Sequence, residues 1–97
     1  MKNLDKKPGA NPSVHYNLFL QRWIIVWYGW DNVLYISSSY DGILWADPQT
    51  LLSESGDLKY PNFFGDGQKV RLYYGKNIPS DIYGRREMMT REITFSV

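Results

Sequence analysis

The chain has 97 residues, which is enough for one small domain. Aromatic residues make up 16%, which argues against disorder, and 11 Lys and Arg against 10 Asp and Glu leave a formal net charge of +1. That balance gives no bulk electrostatic case for nucleic acid or an anionic membrane. With 0 cysteines and 1 histidine, disulfide frames, thiolate metal sites and two-histidine zinc sites are excluded, so no metal or cofactor is expected.

Residues 1–12 (MKNLDKKPGANP) mix lysines with Pro and Gly and are expected to form a mobile tail. They lack the apolar stretch of a secretory signal, so a cytoplasmic location is expected, unless a longer secreted parent supplies one. The longest apolar run, residues 23–29, falls far short of the roughly 20 residues needed to span a bilayer.

From Val14 onward the pattern has a period of two, broken at regular intervals by turn residues. Residues 14–20 form one apolar run, and 23–28 and 33–37 follow. Asp41-Gly42 stands before Ile43-Leu44-Trp45, and Asp-Gly between apolar runs is a strong hairpin signal. Pro48 confines the next strand to a sheet edge. After a polar loop the order restarts, with strands expected at 60–65, 70–75 and 92–97. In the second strand Trp23, Ile25 and Trp27 fall on one face and Ile24, Val26 and Tyr28 on the other, so both faces should be buried. In the last, Ile93, Phe95 and Val97 alternate with Glu92, Thr94 and Ser96, so one face should be buried.

The halves are alike: residues 13–17 then 22–26 parallel 60–64 then 69–73. An offset of about 45 residues is the length of one propeller blade. The expected fold is all-β, with two four-stranded antiparallel propeller-type blades. One domain spans 13–97, divided into blade one (13–53) and blade two (58–97). A small two-sheet sandwich fits the same alternation.

Ser39-Tyr40-Asp41-Gly42-Ile43-Leu44-Trp45 reads S-x-D-G-x-x-W and is similar to the Asp-box of sialidases. Together with Pro12-Ser13-Val14-His15-Tyr16-Asn17, Tyr60-Pro61-x-Phe63-x-Gly65 and Arg91-Glu92-Ile93-Thr94-Phe95, it resembles the closing blades of five-bladed β-propeller glycoside hydrolases. These are the arabinanase, xylosidase and fructosidase families. The resemblance implies a structural role for Ser39, Asp41, Gly42 and Trp45, in an outer hairpin away from any active site. It also implies that the catalytic carboxylates belong to earlier blades, so no catalytic residue is assigned here. Glycoside hydrolysis needs two carboxylates on facing elements.

In a blade the entry to the first strand and the loop after the second share one end of the disc. That reasoning gathers His15, Tyr16, Asn17, Trp30, Asp31 and Tyr60 as a ligand face. Aromatic rings beside amides and a carboxylate suit a sugar. Arg85, Arg86 and Arg91 form the one basic cluster, expected to be a solvated loop. Two blades leave apolar faces and strand edges uncovered, so self-association as a homodimer or higher oligomer is expected. The main functional expectation is a carbohydrate-binding propeller fragment that is not catalytic alone. Two others are a glycosidase completed at a subunit interface and a protein-interaction module.

Overall fold

The computed structural model describes residues 4–53, 58–77 and 86–96. The fold is all-β, with two antiparallel sheets. The first contains β1 (Gly9–Asn17), β2 (Arg22–Gly29), β3 (Leu34–Ser39) and β4 (Gln49–Leu52), in that order. The second contains β5 (Leu58–Phe64), β6 (Lys69–Asn77) and β7 (Arg86–Thr94). A single 3-10 turn at Leu4–Lys6 precedes β1. Both sheets are open.

Alternation along β2 carries the architecture. Ile24, Val26 and Tyr28 face the second sheet, where they pack with Leu34, Leu58, Phe63, Val70, Leu72 and Tyr74 into the main core. Ile25 and Trp27 point the other way and join Tyr35 and Trp45 in a smaller cluster. Both faces of β2 are therefore buried from Ile24 to Gly29, whereas Trp23, expected on the buried face with Ile25 and Trp27, is exposed at the start of the strand. Each fully buried Leu, Val or Ile in the main core contributes about 1.5–3 kcal/mol relative to exposure.

The second cluster lies on the outer face of the first sheet, covered by the N-terminal segment. Trp27 Nε1 donates to the Lys7 carbonyl (2.8 Å), Trp30 N donates to the Pro8 carbonyl (3.1 Å), and Lys6 pairs with Asp47 (2.8 Å). Leu4 packs against the cluster. The expected tail 1–12 is thus structured from Leu4, and β1 starts at Gly9 rather than Ser13. The cause is tertiary: Trp27 has a buried indole N–H, and only this segment supplies its acceptor.

Both hairpins open with the same irregularity. In β1 the register to β2 shifts by one residue between Ala10 and Ser13, and in β5 the register to β6 shifts by one between Lys59 and Asn62. Each bulge holds a residue with positive φ followed by proline: Asn11 (53°) before Pro12, Tyr60 (59°) before Pro61. Proline cannot donate to a ladder, so a bulge on an edge strand accommodates it. The bulges match Asn11-Pro12-Ser13 to Tyr60-Pro61-Asn62, so the first strands of the halves correspond two residues further on than the expected parallel of 13–17 with 60–64. This places Ser13 and Asn62, 49 residues apart, in equivalent positions, and their side chains bond to each other (2.9 Å).

Three expectations are corrected. Residues 43–45 do not form a strand; only Leu44 makes an isolated bridge, and the strand resumes at Gln49. Asp41 Oδ1 takes the N–H groups of Ile43 (2.8 Å) and Leu44 (3.0 Å), which a ladder would otherwise need. The final strand begins at Arg86 rather than Glu92, because β6 offers β7 a partner at every position from Lys69 to Asn77. The second sheet has three strands among the described residues rather than four. Val97, Arg85, Pro79 and Gly84 lie outside the described residues.

β7 overhangs the first sheet. Met89, Arg91 and Ile93 sit opposite Tyr74, Leu72 and Val70 and so share the core side of the sheet. Yet Met89 and Ile93 are only half-buried and Arg91 is exposed, with its Nε donating to the Tyr74 hydroxyl (3.2 Å). A charged residue is tolerated on that side because the first sheet does not reach it.

Candidate functional site

The turn over residues 39–45 is built around two side chains. Ser39, which is buried, accepts the Gly42 N–H (2.9 Å) and donates to Asp41 Oδ1 (3.0 Å). Gly42 supplies the positive φ (78°), and Trp45 turns inward onto Ile25, Trp27 and Tyr35. The backbone donors of Leu44 and Ile43, then the Ser39 hydroxyl, hold the Asp41 carboxyl below its ordinary pKa. The hydrogen bonds run within the turn, and Trp45 is committed to the outer cluster.

The six residues expected to form a ligand face are spread over the first sheet from one end to the other and onto β5 of the second. Asn17 is buried, donates to the Gly67 carbonyl (2.9 Å) and accepts the Leu20 N–H (2.8 Å), so it closes the β1–β2 turn and ties it to the second sheet. Leu18 N donates to the Asp66 carbonyl beside it (2.8 Å). Tyr16 stacks edge-on against Trp23 across the strand pair, with centroids 5.2 Å apart. Trp30 and Asp31 lie at the far end of β2, after Gly29. Trp30 is 66% exposed and edge-on to Tyr28. Asp31 accepts the Tyr35 hydroxyl and the Val33 N–H. Tyr60 is exposed at the β5 bulge. Asn17, which pairs with Arg22, and Trp30, beyond Gly29, are separated by the length of β2.

His15 belongs to a polar seam between the sheets. Its Nε2 lies 2.8 Å from both Ser13 Oγ and Asn62 Oδ1. A serine–histidine relay needs the serine on one ring nitrogen and an orienting group on the other. Here both contacts fall on Nε2, so the arrangement joins two sheets rather than activating Ser13. Ser13, His15 and Asn17 line one side of β1, and their partners Asn62 and Gly67 come from β5 and the turn beyond it.

Sequence reading missed a cleft of about 250 Å³ where the β3–β4 half of the first sheet meets the end of the second. Ile24, Ile36 and Phe95 give it apolar walls, and Arg22, Ser37, Ser38, Asp47 and Gln49 are its polar groups. The Arg22 guanidinium lies over the Tyr40 ring (4.5 Å to its centroid) and donates to the Tyr40 hydroxyl through Nη2. Its Nε is buried and has no hydrogen-bond partner among the described residues. The signal was faint in sequence, because Arg22 reads as a turn residue and Phe95 as one alternating position. Only their tertiary approach, 73 positions apart in the chain by the numbering, makes a cleft.

Among the described residues no three His, Asp or Glu side chains are grouped closely enough to hold a metal ion, and no helix is long and apolar enough to cross a membrane. No protein-family model matches the chain, and no curated protein or solved structure matches it significantly.

Proposed function

We propose that the protein is a non-catalytic carbohydrate-binding module of propeller-blade type, with the Arg22–Phe95 cleft as its sugar site. The observation that carries the reading is the cleft itself, in which the Phe95 ring and aliphatic walls stand beside the serine hydroxyls, the Asp47 carboxylate, the Gln49 amide and Arg22. Phe95 and the aliphatic walls suit the C–H face of a pyranose, while Ser38 and Gln49 suit its rim. The volume is below the roughly 300–1,000 Å³ of drug-sized sites, which fits a single sugar ring. The sequence resemblance of residues 39–45, 12–17 and 60–65 to glycoside hydrolase blades supports the ligand class.

A glycan array followed by calorimetry on the best ligand tests this. Arg22→Ala and Phe95→Ala are expected to lower affinity at least about tenfold. Trp30→Ala and Tyr60→Ala should leave it unchanged. Loss of binding only in the latter pair would move the site to the exposed aromatics. Turnover of aryl glycosides by the wild type, abolished by Asp31→Asn, would instead establish an enzyme.

A further inference from the structure

The four sheet edges differ in how they are protected. β1 and β5 each carry a bulge and a proline, Pro12 and Pro61. β4 has only four residues and follows Pro48. β7 is nine residues long, contains no proline and pairs with β6 without a register shift. Its other side has no strand partner among the described residues. Long regular edges are templates for another strand, and proteins that keep them single use proline, bulges or charge of one sign. β7 has charges of both signs: Arg86, Glu87, Arg91 and Glu92.

Their order is self-complementary when the strand is reversed. We propose that β7 is a dimerisation edge, two copies of the chain pairing antiparallel through it, with Met89 opposite Met89 on the two-fold axis. In that register Glu87 faces Arg91 of the second copy, and Met88 faces Thr90. Each facing pair lies on one side of the joined sheet, as cross-strand pairing demands. Slipping one residue in one direction sets Glu87 against Glu92. Like charges directly opposite are destabilising, so that one-residue slip is disfavoured.

Packing favours the same register. Met89 is half-buried against the overhanging margin of the core, and the second copy's Met89 extends that apolar strip. Met88, 73% exposed, gains a neighbour in the second copy's Thr90. The result is an isologous interface and a continuous six-stranded sheet. An edge of this length is a small interface, so the dimer is reversible and concentration-dependent. This proposal is independent of the sugar site.

Sedimentation velocity on the full chain over a concentration series tests it, with far-ultraviolet circular dichroism checking that each variant folds. Wild type is expected to dimerise in the micromolar range. Glu87→Arg and Arg91→Glu each create like-charge pairs and should weaken the dimer about tenfold or more. The double variant restores opposite pairs and should dimerise like wild type. An equimolar mixture of the two single variants should form a heterodimer, because each Arg then faces a Glu. Where Arg91→Glu does not fold, Glu87→Arg alone carries the test. A wild type that stays monomeric overturns the proposal. So does a dimer indifferent to these charges, or failure of the double variant and the mixture to recover.

Discussion

Tyr35 and Asp31 illustrate how a surface turn changes the chemistry of one residue. The Tyr35 hydroxyl donates to the Asp31 carboxylate, its ring is buried, and the nearby negative charge opposes ionisation. These effects, the hydrogen bond first, push its pKa up to about 12 from 10.0. The folded state thus retains a proton that the unfolded chain loses at lower pH. The stabilisation is complete below pH 10 and disappears as pH rises toward 12. Asp31→Asn removes the charge, so one phenol should titrate closer to its ordinary value, and the loss of stability in that window should shrink. Ultraviolet difference titration and alkaline melting curves of the two proteins check this. Asp31 was legible as a turn residue, but its partner was not. Tyr35 is an ordinary alternating strand position, and only the closed β2–β3 turn brings its hydroxyl to the carboxylate.

At the scale of elements, the N-terminal segment shows a strand boundary that local pattern did not reveal. Gly9 faces Gly29 across the β1–β2 ladder, and a Cβ at Gly9 would lie 1.8 Å from the Tyr28 carbonyl oxygen. No side chain fits there without moving backbone. Gly9→Ala should therefore separate the start of β1 from β2 and detach residues 4–8, which hold the Lys7 carbonyl against Trp27. A red-shifted tryptophan emission and a lower melting temperature are the expected readouts. A change in melting alone, with emission constant, would mean that the segment stays docked. The β-strands themselves were largely readable, since alternation in β2 and β3 and the turn residues between them mark them directly. The stretch 43–45 was misread for a physical reason. Its apolar residues suit a strand, but Asp41 intercepts two of the N–H groups a strand would use. Competition between a local side-chain acceptor and a ladder is not visible in hydrophobic periodicity.

For the whole molecule, stability depends on one shared core between two sheets that are each too small to stand alone. Leu72 is fully buried at its centre, while the next residue, Tyr73, is exposed on the opposite face of β6. Leu72→Ala should cost about 2–5 kcal/mol, and Tyr73→Ala well under half of that. For a domain with about 5–15 kcal/mol in total, the first variant approaches unfolding. Denaturant titration of both variants checks the contrast. Comparable losses would mean that the outer face of β6 is covered in solution. The ends of the sheets are held by a different device, the polar seam of Ser13, His15, Asn17, Asn62 and Gly67, which replaces apolar contact where the gap between the sheets opens to water.

The sequence by itself determined the all-β class, most strand positions, the two buried faces of β2 from Ile24 onward and the turn at Asp41-Gly42. Each follows from local rules: period-two alternation, turn chemistry and the reach of a side chain to its own backbone. Tertiary structure alone decided the ordering of residues 4–8, the length of β7, the separation of Asn17 from Trp30, and the cleft joining Arg22 to Phe95. These depend on how one sheet is laid over the other. The alternation says which side of a strand is buried, whereas the position along the partner sheet that it meets is set by packing between residues far apart in the chain.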